Sequence, residues 1–197
     1  KLHDTVIQRN RATSTEAAFS GGGGIWVYGF ELEVYRCDIS DNYAAYSGGG
    51  VFLFSSEASV EQSAIRNNVA ERDGGGIFGR HSGLDLASST LSGNSAGNVG
   101  GGLNLGQAAE NVRVRHSTIT GNLAGHSGGG IYLIDGTLPL DHVIVARNEA
   151  LSSPDLDRFF VAGFAPRNSL IGDLGSSPLA ESPAGVPDAN GNLIGGP

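Results

Sequence analysis

Residues 89–96 read Ser-Thr-Leu-Ser-Gly-Asn-Ser-Ala, and residues 117–124 read Ser-Thr-Ile-Thr-Gly-Asn-Leu-Ala, 28 positions later. Both contain an aliphatic residue three positions before an asparagine and an alanine two positions after it. This element occurs six times along the chain. Its asparagines are separated by 32, 26, 26, 28 and 26 residues and are Asn10, Asn42, Asn68, Asn94, Asn122 and Asn148. A recurring period of this length is typical of a solenoid.

A second element repeats with the same period. Three glycines precede an aliphatic residue five times, with the triplets starting 26, 26, 26 and 28 residues apart, at Gly22, Gly48, Gly74, Gly100 and Gly128. Two anchors that keep one spacing make a chance repeat improbable. The extra residues between 11 and 20 and between 106 and 111 then correspond to loops, because each coil of a solenoid only has to return to register.

Within each coil, apolar residues alternate with polar ones, as at Leu84 and Leu86 or Val112 and Val114. Period two predicts β-strands, and no helical period competes with it. We expect three short strands in a coil, each pairing in parallel with its equivalent about 4.8 Å away. The sequence thus predicts an all-β, right-handed parallel β-helix of six to seven coils. Residues 1–150 would form regular coils, and 151–197 irregular terminal coils of the same domain.

The asparagine column has a structural interpretation. Stacked asparagines can hydrogen-bond to one another along the axis and to turn backbone, as in cross-β ladders. Asparagine also tolerates the left-handed backbone that a sharp corner needs. We therefore expect the six asparagines to hold one corner of the coil.

Composition excludes some partners. The formal net charge is −8 and Lys1 is the single lysine, which argues against nucleic acid and against an anionic membrane surface. The one cysteine, Cys37, excludes an intrachain disulfide. No apolar run is long enough for a membrane span, and no signal peptide is visible. We expect the chain to be a segment of a longer protein.

The two opening segments, each followed by a glycine triplet, resemble the parallel β-helix repeats of the pectate-lyase-like superfamily. They are also similar to the repeats of chlamydial polymorphic membrane proteins, with Ile or Leu in place of Phe. The stretches 143–150, 154–156 and 168–173 resemble the terminal coils of bacterial choice-of-anchor surface proteins. Together these resemblances cover nearly the whole chain. They imply a bacterial protein with an extracellular or cell-surface location, often as part of a long adhesin-like chain.

Aligning the coils brings aromatic residues into two outward columns after the glycines. These residues are Trp26, Tyr28, Phe52, Phe54, Phe78 and Tyr132. Alternation places them outside if the flanking aliphatic residues point inward. An exposed aromatic row favours a partner, either another protein chain or a polysaccharide. Cover by a loop or simple cross-strand stacking is the alternative explanation.

A polar face of coils four to six carries the candidate catalytic residues Asp85, Arg113, Arg115, His116, Asp141 and His142. The resemblance implies that lyases and hydrolases of this fold place acids and bases on such an exterior sheet. A lyase needs a base and nearby cations, and a hydrolase needs two spaced carboxylates. Carboxylates here alternate with arginines, which is equally typical of a solvated ion-pair ladder.

Signals for a metal or cofactor are weak. The turn 153–157 and the acids Glu31, Glu33, Asp38 and Asp41 offer oxygen ligands of the kind that Ca²⁺ takes. No repeated Asp loop accompanies them, so we expect no cofactor. The sequence favours a non-catalytic segment of an exported protein that acts by adhesion, self-assembly or glycan contact through the aromatic face. The alternative is a carbohydrate-active enzyme that uses the polar face.

Overall fold

The chain folds as a parallel β-solenoid in a computed structural model that describes residues 1–15, 20–106, 111–159, 162–175 and 179–195. No helix occurs in these ranges. The predicted fold class is confirmed. The central residues of both predicted insertions, 16–19 and 107–110, lie outside the described residues.

The strands are short, and most coils contain four of them. In chain order they are β1 Leu2–His3, β2 Val6–Gln8, β3 Arg11–Ala12, β4 Ile25–Tyr28, β5 Glu31–Tyr35, β6 Asp38–Ser40, β7 Tyr43–Ala44, β8 Val51–Phe54, β9 Glu57–Glu61, β10 Ala64–Arg66, β11 Val69–Ala70, β12 Ile77–Arg80, β13 Gly83–Ala87, β14 Thr90–Ser92, β15 Ser95–Ala96, β16 Leu103–Gly106, β17 Val112–Arg115, β18 Thr118–Thr120, β19 Leu123–Ala124, β20 Ile131–Leu133, β21 Thr137–Asp141, β22 Ile144–Ala146, β23 Leu156–Arg158, β24 Gly163–Arg167, β25 Leu170–Ile171 and β26 Leu193–Ile194. The expectation of three strands per coil was wrong, because the two residues after each asparagine from Asn10 to Asn122 form a fourth.

Four parallel sheets run along the solenoid. The polar sheet has the order β1-β5-β9-β13-β17-β21-β24, and an eight-stranded sheet has the order β2-β6-β10-β14-β18-β22-β25-β26. A short sheet contains β3, β7, β11, β15 and β19, and the aromatic sheet contains β4, β8, β12, β16, β20 and β23. Equivalent positions pair directly, as Ile65 does with Ile39 and Leu91. Every strand therefore meets its counterpart one coil away.

The core fills the bore between the sheets. Each coil contributes the same aliphatic positions, so that Ile39, Ile65, Leu91 and Ile119 stack with none of their surface exposed. The alternation that the sequence shows is therefore the alternation between bore and surface.

The asparagine column forms a hydrogen-bond ladder. Asn94 accepts from the backbone N–H and the Nδ2 of Asn68 at 3.0 Å, and its own Nδ2 donates to Asn122 Oδ1 at 2.9 Å and to the carbonyl of Ile65 at 2.9 Å. The predicted left-handed backbone is displaced by one residue. It belongs to the residue before each asparagine, as in Asp41 (φ 56°) and Asn67 (φ 54°), while the asparagine side chain turns inward.

The ladder ends at a carboxylate. Asp155 Oδ1 accepts from the backbone N–H of Asn148 at 3.0 Å and from its Nδ2 at 2.7 Å, while Asp155 Oδ2 accepts from the backbone N–H of Asp173 at 2.6 Å. Asp155 is buried. It therefore takes the place of the next asparagine where the regular repeat stops.

The terminal segment continues the sheets in shortened form. Leu156 follows Pro154 and Asp155 into the aromatic sheet, and the repeated Leu-Ile pairs 170–171 and 193–194 stack on each other in the eight-stranded sheet. The irregular terminal part thus extends the same core.

A candidate binding groove on the aromatic sheet

The six predicted aromatic residues all stand on the outward side of β4, β8, β12 and β20, yet their exposure differs widely. Trp26 and Tyr28 are 44% and 46% exposed, whereas Phe52 is only 4% exposed. Phe54, Phe78 and Tyr132 are half-buried.

Phe52 is covered because its neighbours are close on two sides. Its ring stacks on that of Phe78, with centroids 5.1 Å apart and planes at 15°. On the other side it lies against Gly21, where an added Cβ would come within 2.3 Å of the Phe52 ring. At Phe52, therefore, cross-strand stacking covers the ring, which is the alternative explanation that the sequence left open.

Part of this sheet forms a groove of about 320 Å³. Its apolar side comes from Phe52, Phe54 and Phe78, and its far end from Ile134. The next strand, β16, has Gly106 where the coils before it carry Phe54 and Arg80, and the side chain of Ile134 reaches over that glycine, with its Cδ1 2.5 Å from where a Cβ would stand.

Charged and polar groups surround this apolar floor. Arg72 lies over the ring of Tyr46, 4.6 Å from its centroid, and donates to the Tyr46 hydroxyl. Asp73 accepts a 2.8 Å hydrogen bond from Asn98, and Arg80 lies 6.0 Å from the Phe54 ring centroid. The groove therefore combines an aromatic surface with cationic and anionic groups.

Two polar atoms near the groove are buried without a hydrogen-bond partner among the described residues. They are the Oγ of Ser47, which lines the groove, and the Oδ1 of Asn104, which pairs in register between Phe78 and Tyr132. Burial raises the pKa of Tyr132, and the carboxylates of Asp157 and Asp73 raise it further. Buried polar atoms that have no hydrogen-bond partner among the described residues therefore lie beside the aromatic surface.

The sequence did not single out Tyr46, Arg72 and Asp73 as site residues. They precede the glycine triplets and belong to turns, outside the strand pattern that was aligned. Continuing the alignment backward from each triplet would have found them, because Arg72 occupies in its coil the position of Tyr46.

The polar face gathers its candidate catalytic residues into two clusters. In the first, Asp85 Oδ2 accepts from Arg113 at 2.6 Å, and both Asp85 oxygens accept from Arg115 at 3.1 and 3.2 Å. Burial favours a higher pKa for Asp85, but the hydrogen bonds from Arg113 and Arg115 outweigh it and lower the pKa below its ordinary value. Asp85 is thus held as an ionised acceptor, which is unsuited to donating a proton.

The second cluster lies at the adjoining corner. The rings of His116 and His142 stack with their centroids 5.0 Å apart. Asp141 Oδ1 lies within hydrogen-bond distance of His142 Nδ1, at 2.9 Å. Both histidines are exposed and have left-handed backbone, with φ of 48° and 54°. Arg115 and Asp141 are neighbours in register between the clusters.

The acids considered as calcium ligands are dispersed. Glu33 pairs with Lys1 at 2.6 Å and with His3 at 2.9 Å, whereas Asp38 pairs with Arg66 at 2.6 Å on the eight-stranded sheet. Within turn 153–157, Asp155 points inward to cap the asparagine ladder. No group of three or more His, Cys, Asp or Glu side chains with metal-binding geometry occurs among the described residues.

The family model described as "Right handed beta helix region" matches residues 3–150. The chain belongs to this family. No curated protein and no solved structure matches the chain. Within the described ranges, no helix is long and apolar enough to cross a membrane.

The right-handed β-helix family accounts for the scaffold and agrees with the resemblance to pectate-lyase-like repeats. The β-helix fold is consistent with an exported or carbohydrate-related protein. A fold of this kind supports many activities, so membership of the family does not by itself assign one to this chain.

Proposed function

We propose that this chain is a non-catalytic binding segment of an exported or cell-surface protein, and that it holds a carbohydrate chain in the groove on the aromatic sheet. The observation that carries the proposal is the groove's composition: stacked phenylalanine rings bordered by Arg72, Asp73 and Arg80. Ligand sites typically join a largely apolar surface to a few convergent polar groups.

A sugar ring matches both parts of this surface. Its apolar C–H face packs on an aromatic ring, while its hydroxyl groups donate and accept hydrogen bonds at the edge. Guanidinium groups donate charge-assisted hydrogen bonds to sugar oxygens, and carboxylates accept them from sugar hydroxyl groups. The groove is lined by residues of β8, β12 and β16 and by Ile134, which follows β20, so it extends about 14 Å along the axis. That length suits a short stretch of a polymer lying along the solenoid.

The polar face supports catalysis less well. Asp85 is engaged by two arginines that lower its pKa, and Asp141 pairs with an exposed histidine. A hydrolase needs one carboxyl group that is protonated near neutral pH. Neither cluster lies in the groove described above.

A glycan array followed by calorimetry on each hit tests the proposal, with product analysis of every incubation. We expect binding without cleavage, and a tenfold or greater loss of affinity for Phe78→Ala and for Arg80→Ala. Trp26→Ala is the matched control, since Trp26 stands in the same column as Phe78 but outside the groove lining.

Three results would overturn the proposal. One is the absence of any carbohydrate ligand, another is equal loss of affinity in Trp26→Ala and Phe78→Ala, and the third is the release of shortened or unsaturated sugars. The last result would instead favour the polysaccharide lyase or hydrolase alternative, and variants of Asp85 and His142 would then locate its site.

A further inference from the structure

Two of the chain's five histidines occupy equivalent positions in neighbouring coils. His116 and His142 directly follow Arg115 and Asp141, which pair in register, and both turn the chain out of the polar sheet. Their backbones share the left-handed conformation, with φ of 48° and 54°. Because neighbouring coils are about 4.8 Å apart, equal backbone geometry sends both side chains off the corner in the same direction. The two rings consequently stack, with 5.0 Å between their centroids.

Asp141 orients one of these rings. Its Oδ1 lies 2.9 Å from Nδ1 of His142, and a carboxylate only accepts hydrogen bonds, so Nδ1 carries the proton. The other nitrogen, Nε2, then keeps its lone pair in the neutral ring. A carboxylate bonded to the far nitrogen of a histidine is the arrangement that orients histidine ligands in metal sites and raises their basicity.

The pair is also accessible from solvent, since both histidines are exposed. Two other histidines have different surroundings. His3 lies 2.9 Å from a carboxylate oxygen of Glu33, and His81 stands edge-on to the ring of Phe54. The stacked corner therefore combines two neighbouring imidazoles, a supporting carboxylate and an open approach for an ion.

We propose that His116 and His142 bind a divalent transition-metal ion such as Zn²⁺, with Asp141 supporting His142 and with water in the remaining coordination positions. Neutral imidazole is a good ligand for zinc, copper and nickel. Two nitrogens on one tetrahedral zinc ion lie about 3.3 Å apart, because each Zn–N bond is about 2.0 to 2.1 Å long. Rotation of the two exposed rings about χ2 can bring a nitrogen of each to this separation while the backbone stays in place.

The surrounding charges select among metal ions. Arg115 and Arg167 lie in register on either side of Asp141. The Arg115 guanidinium is directed to Asp85, with hydrogen bonds of 3.1 and 3.2 Å, but Arg167 adds a positive charge on the adjacent strand. A hard ion such as Ca²⁺ needs several oxygen ligands, and Asp141 offers a single carboxylate. The site should therefore prefer ions that bind through nitrogen.

The metal site and the groove are separate. His116, Asp141 and His142 belong to the polar sheet and its corner, and the groove lining contains none of them. Metal binding is therefore independent of the carbohydrate binding proposed above. Phe78→Ala, which should weaken carbohydrate binding, should leave the affinity for Zn²⁺ unchanged.

Isothermal titration of the untagged chain with Zn²⁺ at neutral pH tests the proposal. We expect one ion per chain, and a tenfold or greater loss of affinity in His116→Asn and in His142→Asn. Asparagine suits both positions, because Asn168 holds the same left-handed backbone (φ 48°) at the equivalent position of the next coil. Asp141→Asn keeps the side-chain size but removes the charge, and should lower the affinity about tenfold.

His126→Asn removes a different exposed histidine and is the matched control, with unchanged affinity expected. Co²⁺ bound in place of Zn²⁺ should give visible absorption bands that both His116→Asn and His142→Asn lose. Thermal unfolding monitored by circular dichroism confirms that each variant is folded. The proposal is overturned if the wild-type chain does not bind Zn²⁺, or if folded His116→Asn and His142→Asn keep full affinity. Equal losses in His126→Asn and His116→Asn, or displacement of Zn²⁺ by excess Ca²⁺, would also overturn it.

Discussion

The asparagine corner and the outward column of the aromatic sheet are both stacks of equivalent residues, one from each coil, but they behave differently. From Asn42 to Asn148 the corner keeps the same residue, with ladder hydrogen bonds between 2.9 and 3.0 Å up to the terminal cap. The outward column instead changes from Trp26 through Phe52 and Phe78 to Asn104 and Tyr132.

The difference shows where the solenoid constrains its sequence. A buried amide must pair with the coils on both sides, so every coil needs the same group. An outward residue meets no such condition and can change from one coil to the next. The groove lies where the neighbouring outward column changes from Tyr28, Phe54 and Arg80 to Gly106.

Among substitutions in these two columns, the largest loss of stability is expected at the middle of the asparagine ladder. Asn94→Ala removes four hydrogen bonds made by the Asn94 side chain and leaves buried groups of Ile65, Asn68 and Asn122 without those partners. We expect the free energy of unfolding in urea to fall by about 4 kcal/mol. Asn10→Ala, at an exposed rung that loses a single bond to Asn42, should cost less than about 1 kcal/mol. Equal losses of unfolding free energy in the two variants would show that the buried asparagine hydrogen bonds stabilise the fold no more than the exposed one does.

A methyl group added within the glycine corner should have the next largest effect. A Cβ at Gly75 would lie 2.5 Å from the carbonyl oxygens of Gly101 and Ser95, both of them backbone atoms that cannot turn away. Gly75→Ala should therefore cost about 3 kcal/mol in urea unfolding. Gly163→Ala is the control, because the nearest atom to its Cβ is 4.0 Å away. A neutral Gly75→Ala would show that neighbouring coils can separate locally.

In the outward column, the loss of stability on substitution should depend on how deeply each side chain is buried. Phe52→Ala removes a ring that is 4% exposed and packed against Phe78 and Gly21, and we expect a loss of about 2 kcal/mol. Trp26→Ala, at 44% exposure, should change stability by about 0.5 kcal/mol or less. Comparable losses in the two variants, measured by urea unfolding, would mean that Trp26 is covered in solution.

The smallest effect is expected at the ladder's cap. Asp155→Asn keeps an oxygen for Asn148, but its amide N–H₂ would face the backbone N–H of Asp173, so two donors meet. We expect a loss of about 1 kcal/mol at neutral pH.

This loss should also depend on pH. Burial raises the pKa of Asp155 despite the hydrogen bonds from Asn148 and Asp173, so the folded chain holds the proton more tightly than the unfolded chain. The cost of ionising Asp155 is absent below its unfolded pKa and appears as the pH rises through the folded one. Wild-type stability relative to Asp155→Asn should thus increase as the pH falls from about 7 to about 4, in urea unfolding series at several pH values. A constant difference would contradict the raised pKa.

The repeat by itself determined the scaffold. Two anchors at one period specify which residues stack, and period-two alternation specifies which of them enter the bore. Parallel pairing between coils requires equivalent backbone positions to meet, so the register follows from spacing alone. The positions of Ile39, Asn94 and the glycine triplets were predictable for this reason.

Only the tertiary structure decided what covers each outward residue and how the polar groups pair. The burial of Phe52 depends on Gly21 in the preceding turn, and the groove depends on Arg72, Asp73 and Ile134 from other coils and turns. Asp155, considered from sequence as a calcium ligand, instead completes the asparagine ladder because the irregular turn directs it inward. Spacing determines which backbone positions meet, whereas side-chain size, rotamer and the path of each turn determine which surfaces remain open.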